Sequence, residues 1–363
     1  MLDALIVGQG IAGSVLALLC KQLNLNVRVI DDHHAHSSTK IAAGIMNPLV
    51  GPRLTPLWKH QYSYHGVVDH YKAIEEIIQV PFLRQHRLIR FLSTEWELSS
   101  FQKRQGEAWA TQWMRPTNEW SEICDSGIKQ FESYPVFQMN TPAFLDGVKA
   151  YLIKHNMLCQ ASLNYNDVKI KSSTVHWRDL SAKYMVFCEG AKAIENPFFK
   201  ELKFKNAMGH MVKFESNHLP PNVILNHGKW ACPMSHGCYT YGASTYWQSN
   251  VANKKASEDS ILKSLHHFLK VPYSVNAVIH GVRPCLIHHQ PVAMVSGNSP
   301  RLACINGLRG QGMFFAPIMA QLLCSKLRLN KAIKPMLPQM FEYDPLKELK
   351  HEGRYPNTHH TQA

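Results

Sequence analysis

The chain has 363 residues, of which 45% are hydrophobic and 18% are charged, a composition that predicts a folded protein of two modest domains and excludes a disordered chain. It has no apolar run of 18 residues and its first strand is predicted from residue 4, so we expect no membrane span, no signal peptide and a cytoplasmic location. The formal net charge of +13 would suit an anionic partner such as RNA, but the basic residues form no continuous tract, as in a basic soluble enzyme. Nine cysteines without a CxxC pair predict neither disulfides nor a metal site.

The N-terminal segment predicts a βαβ unit. An apolar strand at 4–7 leads into the glycine-rich turn GQGIAG at 8–13, which is followed by an apolar helix at 14–20 and a second strand at 27–30. This order of strand, glycine turn and helix is typical of a dinucleotide-binding site. A coincidental glycine turn in an ordinary βαβ unit is the alternative.

Each glycine of the turn has a physical role in such a site. Gly8 permits the tight turn, Gly10 lets the backbone approach a pyrophosphate, and Gly13 lets the helix pack on the strand. Asp31 is placed to accept hydrogen bonds from a ribose, and its charge disfavours a 2′-phosphate, so FAD or NAD is expected rather than NADP. The residues of this unit predicted to bind the nucleotide are Gly8, Gly10, Ile11, Ala12, Gly13, Asp31 and Asp32.

The rest of the chain mixes helices and strands. In chain order we predict a small-residue loop at 37–51, a helix at 60–79, a strand at 86–92, a peripheral helical region at 95–125, a helix at 141–156, short strands at 166–178, a strand at 184–187, a strand-rich region at 203–279 with a helix at 256–269, a strand at 302–306, a second glycine-rich turn at 307–312, a helix at 313–327 and a mobile polar tail beyond 345.

Four separated segments carry a family resemblance. GQGIAG with Asp31, STKIAAGIMNP, VFCEGA, and GVRP followed by INGLRGQGMFFAP occur in the order found in the D-amino-acid oxidase and glycine oxidase family of FAD-dependent oxidoreductases, which the chain resembles over residues 3–328. The resemblance implies non-covalent FAD and oxidation of a carbon–nitrogen bond by hydride transfer to flavin N5, giving an imine that hydrolyses. It implies further FAD contacts at Ala42, Ala43, Gly44, Gly190, Gly307, Gly310, Gln311, Gly312 and Met313.

The same resemblance implies an α/β fold in which a Rossmann-like FAD-binding domain is interleaved with a mainly antiparallel-sheet substrate domain. The FAD-binding domain is expected to comprise residues 1–80, 136–202 and 280–330. The substrate domain is expected to comprise residues 81–135 and 203–279, followed by a C-terminal extension at 331–363.

Substrate residues are also implied by the resemblance. Arg283 of GVRP corresponds to the arginine that holds the substrate carboxylate, and a planar guanidinium suits that task, although an arginine before Pro284 can also be structural. Arg309 lies one position away from an active-site arginine of the family, so its role is open. Tyr246 is the pocket tyrosine we favour over its neighbours on the same strand segment. Cys285 lies near the covalent flavin attachment of sarcosine oxidase-like relatives, but a buried structural thiol is expected.

The expected function is an FAD-dependent oxidase or dehydrogenase acting on a small amine or amino acid, with oxygen or another electron acceptor. One alternative is a tRNA-modifying oxidoreductase acting on a carboxymethylaminomethyl-uridine-type base, which the net charge of +13 would suit. Others are a 2-hydroxy-acid dehydrogenase on the same fold, or a flavoprotein without catalysis, because fold alone does not separate these chemistries.

Overall fold

The computed structural model describes residues 1–33, 37–57, 60–120, 122–123, 129–235, 237–247 and 253–329. The helices in these residues are α1 (Ile11–Gln22), α2 (Ser38–Ile41), α3 (His60–Ile78), α4 (Glu95–Arg104), α5 (Thr141–Lys154), α6 (Asn253–Phe268) and α7 (Gly312–Lys326). The strands are β1 (Leu2–Val7), β2 (Val27–Asp31), β3 (Ile45–Met46), β4 (Leu49–Val50), β5 (Thr55–Pro56), β6 (Leu83–Phe91), β7 (Arg115–Thr117), β8 (Gln130–Met139), β9 (Leu158–Gln160), β10 (Val168–Ile170), β11 (Val175–Trp177), β12 (Leu180–Phe187), β13 (Ala207–Glu215), β14 (Val223–His227), β15 (Lys229–Ser235), β16 (Cys238–Gly242), β17 (Tyr246–Trp247), β18 (Ser274–Arg283), β19 (Val292–Ser296) and β20 (Ser299–Asn306). The predicted C-terminal extension at 331–363 and its tail lie outside the described residues.

The first sheet is built around β1. Strands β2 and β12 pair with β1 in parallel, β9 extends the sheet beyond β2, and β20 pairs in parallel with β12. Successive residues of β1 alternate between two cores: Ala4 and Ile6 pack with α1 and α7, whereas Leu5 and Val7 pack with Trp177 and other residues of the opposite face. Both faces of this sheet are therefore covered, as parallel strands require.

The carboxyl ends of the parallel strands determine where a ligand can bind. The turn after β1 contacts the chain after β12 closely, since a Cβ at Gly8 would lie 2.6 Å from the carbonyl oxygen of Cys188. Gly13 allows α1 to approach that turn, because its Cβ would lie 1.9 Å from the carbonyl oxygen of Gly8. The turns after β1, β12 and β20 thus lie at one edge of the sheet, where α/β proteins bind their ligands.

The second sheet is mainly antiparallel. Its strand order is β17-β13-β16-β15-β14-β6-β8-β3, with β18 paired to β13 and β7 paired to β8, and only the β14–β6 pair among these is parallel. Helix α6 covers one face through Ile261, Leu265 and Phe268, which pack with Phe214 and Tyr241. The predicted α/β fold class, with its Rossmann-like part and mainly antiparallel sheet, is confirmed.

Two features differ from the sequence-based expectation. The expected domain boundaries at 135/136 and 279/280 fall inside β8 and β18, and the second sheet also takes β3 from the N-terminal segment, because strand pairing continues across those points. The helical prediction for 95–125 was wrong over 105–120 and 122–123: Thr94 caps α4 by accepting a hydrogen bond from the Glu97 backbone, but the helix ends before Gly106, and turns and β7 follow. Residues 121, 124 and 125 lie outside the described residues.

Candidate active site

A cavity of about 570 Å³ lies between the carboxyl edge of the first sheet and one face of the second. The first sheet contributes the start of α1 and the turn before α7, and the second contributes residues of β13, β17 and β18. The small-residue loop lies against β18, where the Ile41 side chain fills the space beside Gly281. The cavity lies where the sequence predicted a nucleotide.

Most of the predicted cofactor residues line this cavity. Those that do are Gly10, Ile11, Ala12, Ala42, Ala43, Gly44, Gly190, Gly310, Gln311, Gly312 and Met313. Gly8, Gly13 and Gly307 do not line it; they allow close packing of the backbone behind it. At Gly307, which has a φ of +73°, a Cβ would lie 2.7 Å from Leu286. The packing of Gly8 and Gly13 agrees with the turn and helix-packing roles predicted for them, and Gly10 is the glycine of the first turn that lines the cavity.

The surroundings of Gly10 indicate whether the fold or a bound ligand requires glycine at this position. A Cβ built at Gly10 would meet no protein atom closer than Thr39 Oγ1 at 3.6 Å, an ordinary contact. Its φ of −74° is accessible to any L-residue. The fold therefore does not need glycine here, whereas a dinucleotide approaching the backbone does, and this space fits FAD.

Two helices begin at the cavity without a cap from their own Ncap side chain, although Thr39 Oγ1 accepts a hydrogen bond from the Ile11 N–H of α1 at 3.2 Å. The Ncap residues are Gly10 for α1 and Gln311 for α7, neither side chain caps its helix, and neither helix has an acidic residue in its first turn. Unsatisfied backbone N–H groups and the helix dipole favour acceptor or anionic groups of a ligand at such ends. These ends would suit the phosphates and ring carbonyls of FAD.

The two predicted aspartates are not among the residues that line the cavity. Asp31 is buried and accepts backbone hydrogen bonds from Gln9 and His33, both at 2.8 Å, so it fixes the glycine turn. Asp32 forms an ion pair with Lys192 at 2.7 Å. The ribose contact of Asp31 stays a prediction, and Asp32 is occupied by a neighbouring lysine.

Arg283 lies at the end of β18 and lines the cavity. Its Nη1 donates to Thr245 Oγ1 at 3.0 Å and its Nη2 donates to the Ser244 carbonyl oxygen at 3.3 Å. Gly209 makes room for the guanidinium, since a Cβ there would lie 2.9 Å from Nη2. Burial, and then the charge of Arg309, lower the pKa of Arg283. The side chain is thus held in place on neutral groups alone.

Arg309 also lines the cavity, at its exposed rim. It has a φ of +55°, its backbone N–H donates to Pro284 at 3.3 Å, and its Nη1 donates to the His289 carbonyl oxygen at 3.4 Å. The structure therefore brings Arg283 and Arg309 to the same cavity. The one-position offset seen in the sequence does not remove Arg309 from it.

Tyr246, which the sequence favoured as a pocket residue, does not line the cavity. Its ring stacks on His210 with centroids 5.5 Å apart, and its Oη is buried without a hydrogen-bond partner in the described residues. Because side chains alternate along a strand, Thr245 and Trp247 face the cavity in its place. Sequence reasoning missed both, together with Met211 and Trp230; choosing the other parity of the strand would have found Trp247.

Cys285 is buried and lines the cavity as a free thiol. Ile41, which precedes Ala42, packs against Gly281 and has no nucleophilic group that could bond to a flavin. Non-covalent FAD thus stays the expectation. No group of three or more His, Cys, Asp or Glu side chains in the described residues is arranged to hold a metal ion. None of the helices in those residues is both long and apolar enough to span a bilayer.

Comparison with known proteins agrees with this geometry. A glycine oxidase from Bacillus cereus superposes with a TM-score of 0.75 at 16% identity, covering 90% of this chain and 95% of that one. An iminodiacetate oxidase from a Chelativorans species gives 0.74 at 14% identity, covering 92% and 97%. The L-α-glycerophosphate oxidase from Mycoplasma pneumoniae, a structure with FAD bound, gives 0.73 at 15% identity, covering 90% and 94%. At these identities the likeness establishes the fold.

The fold and its glycine-lined cavity define a flavin-dependent oxidoreductase. The family model described as "FAD dependent oxidoreductase" matches residues 3–326, and the chain belongs to that family. The resemblance inferred from the four motifs is thereby confirmed, as is FAD as the cofactor. The protein is an enzyme, and its substrate must be argued from the cavity.

Proposed function

We propose that this enzyme oxidises the carbon–nitrogen bond of a small amine or amino acid that carries a carboxylate, with Arg283 as the carboxylate anchor. The observation that supports this most is the charge of the cavity. The described lining residues include Arg283 and Arg309 but no aspartate, glutamate or lysine. A cation removed from water without a counter-ion is costly, and a substrate carboxylate would offset that cost.

Arg283 has the donors that this role requires. A guanidinium carries five N–H groups, and the contacts to Thr245 and Ser244 use one N–H of Nη1 and one of Nη2, which leaves three. The remaining donors suit a carboxylate, which binds arginine in a planar and often bidentate arrangement. Fixing the carboxylate fixes the α-carbon of the substrate, and such positioning is a large part of catalysis.

The remaining lining residues affect the reaction through the polarity of the cavity, and we assign none of them as a general base. FAD, when bound, supplies the acceptor for the two electrons of the carbon–nitrogen bond. Met211, Trp230 and Trp247 give part of the wall an apolar character that excludes water. The two arginines disfavour a further positive charge nearby. They therefore lower the pKa of a bound ammonium group and favour the neutral amine from which oxidation proceeds.

The named structural neighbours support the substrate class, since glycine oxidase and iminodiacetate oxidase are both named for carboxylate-bearing amines. A neighbour named for glycerophosphate has a similar fold, so the choice between an amine and a glycerophosphate substrate rests on the residues that line the cavity. No specific observation favours the tRNA-linked or non-catalytic alternatives.

The test is an anaerobic titration of the holoenzyme followed through the visible spectrum of its flavin. Glycine, sarcosine, alanine and proline should bleach the flavin in at least one case, whereas methylamine and dimethylamine, which lack the carboxylate, should not. Glycolate and lactate provide the 2-hydroxy-acid arm. Reduction by a hydroxy acid alone, or by a carboxymethylaminomethyl-uridine nucleoside alone, would contradict the proposal. Admitting air then shows whether oxygen accepts the electrons.

A further inference from the structure

The positive charge of the cavity exceeds what one substrate carboxylate would neutralise. Arg283 lies inside and Arg309 lies at the rim, and neither has a carboxylate partner among the described residues. A substrate with a single carboxylate on Arg283 would leave the second guanidinium to water. The chemistry of the cavity therefore accommodates a second anion.

The two guanidinium groups are connected through the backbone. The Arg309 N–H donates to the carbonyl oxygen of Pro284, the residue after Arg283, at 3.3 Å. The Arg309 side chain donates to His289, which also lines the cavity. Arg309 and His289 both have left-handed backbones, with φ of +55° and +61°. Such conformations are uncommon for these residue types, so the surrounding contacts hold this turn in one arrangement.

Further basic groups lie on the same side of the rim. The Lys205 Nζ is 4.3 Å from the ring centroid of Trp247, a lining residue. Burial is the largest cause that lowers the pKa of His289, and the positive charges of Arg309 and Lys205 lower it further. A site that gathers positive groups in this way is stabilised when an anion binds among them.

We propose that Arg309, supported by Lys205, forms a second anion subsite, so that the preferred substrate is an amine with two carboxylates. This inference rests on the proposed function, because Arg283 is taken as the first anchor. One carboxylate binds Arg283 inside the cavity, and the other binds Arg309 at the rim. The specificity of the enzyme between mono- and dicarboxylic amines would thus lie in Arg309.

The first test uses redox-inert anions and needs no turnover. Propionate and succinate differ by one carboxylate, and binding of each to the holoenzyme can be followed as a change in the visible spectrum of the bound flavin at constant ionic strength. We expect wild-type enzyme to bind succinate about 10- to 100-fold more tightly than propionate, the range of one charge-assisted hydrogen-bonded pair. R309Q should lose most of that preference, and R309K should retain part of it.

A matched control variant is R328Q. Arg328 is also an arginine with a left-handed backbone, at φ +52°, but it is exposed after α7 and does not line the cavity. R328Q should keep the succinate preference of the wild type.

The second measurement compares flavin reduction by sarcosine and by iminodiacetate, which are both secondary amines and differ by one carboxylate. The kcat/KM for iminodiacetate divided by that for sarcosine should fall in R309Q.

The outcomes separate the two proposals. Equal binding of propionate and succinate to wild type, or equal losses for both acids in R309Q, would overturn the second subsite and leave the Arg283 anchor standing. Failure of both acids to bind would contradict the anchor and with it the proposed function. A succinate preference that R309Q removes and R328Q keeps would support the subsite.

Discussion

Replacing Gly10 by alanine should separate FAD binding from folding. The new methyl group would have Thr39 Oγ1 as its nearest protein neighbour at 3.6 Å, and the backbone there already suits an L-residue. The stability of the apoprotein should change by no more than about 1 kcal/mol, because the gain of about 0.4 to 1 kcal/mol from restricting the unfolded chain is opposed by the poorer fit of alanine at the Ncap position of α1. The methyl group instead enters space that the ligand needs.

The cost should appear in FAD affinity. A methyl group forced into a tight contact costs about 1 to 3 kcal/mol, which is roughly a 5- to 150-fold weaker binding constant. The assay is quenching of FAD fluorescence on titration into deflavinated protein, with thermal unfolding of the same apoprotein recorded in parallel. The expected result is a Tm within a few degrees of wild type together with a Kd raised by that factor.

Two further variants bracket this prediction. Gly297 is exposed, has no atom within 4 Å of a built Cβ and lies outside the cavity, so G297A should change neither quantity. In G13A the methyl group would lie 1.9 Å from the Gly8 carbonyl oxygen, so that variant should lose stability itself. If G10A binds FAD within about threefold of wild type, the assignment of this glycine to the ligand is refuted.

Three other predictions follow from the same structure. R283K should lower kcat/KM for a carboxylate substrate about 100-fold without changing the Kd of FAD, because lysine cannot bind bidentately; titration and steady-state kinetics check this. G209A should lower the Tm and raise the substrate KM, since its Cβ would lie 2.2 Å from the Ser244 carbonyl oxygen and crowd Arg283; unchanged values of both would contradict that crowding. Burial lowers the pKa of His70 to about 4, so its stabilising contribution is complete above pH 6.5 and is lost, by about 3 kcal/mol, as the pH falls towards 4; chemical unfolding of H70L should show a shallower acid loss than wild type.

Glycine-rich turns in the sequence drew attention to the backbone parts of the site. Gly10, Gly44 and Gly310 line the cavity, each in a loop between regular elements. Gly44 is also required by the fold, because it has a φ of +69° and its Cβ would lie 2.1 Å from the Met139 carbonyl oxygen. Local pattern also predicted α3, α5 and α7 close to their observed bounds, since each has a continuous apolar face or a clear start signal. Asn140 and Pro142 mark the start of α5.

The pairing of distant strands was less predictable. Strand β8 continues to Met139 because it pairs with β6, and β18 continues to Arg283 because it pairs with β13. Neither partner is local in sequence, so no pattern near residue 135 or 279 shows where the second sheet ends. The domain limits implied by the family resemblance therefore fall inside two strands.

The substrate side depends on the facing of single side chains, which a sequence motif does not encode. Tyr246 and Trp247 are adjacent and both aromatic, yet the β13–β17 pairing turns Tyr246 towards His210 and Trp247 towards the cavity. A shift of one residue in register would exchange them. Arg309 illustrates the converse: its left-handed backbone places it at the rim, although sequence alignment puts it one position from the family's arginine. The arginines indicate an anionic substrate because the assembled cavity places Arg283 and Arg309 together without an aspartate or glutamate among its described lining residues.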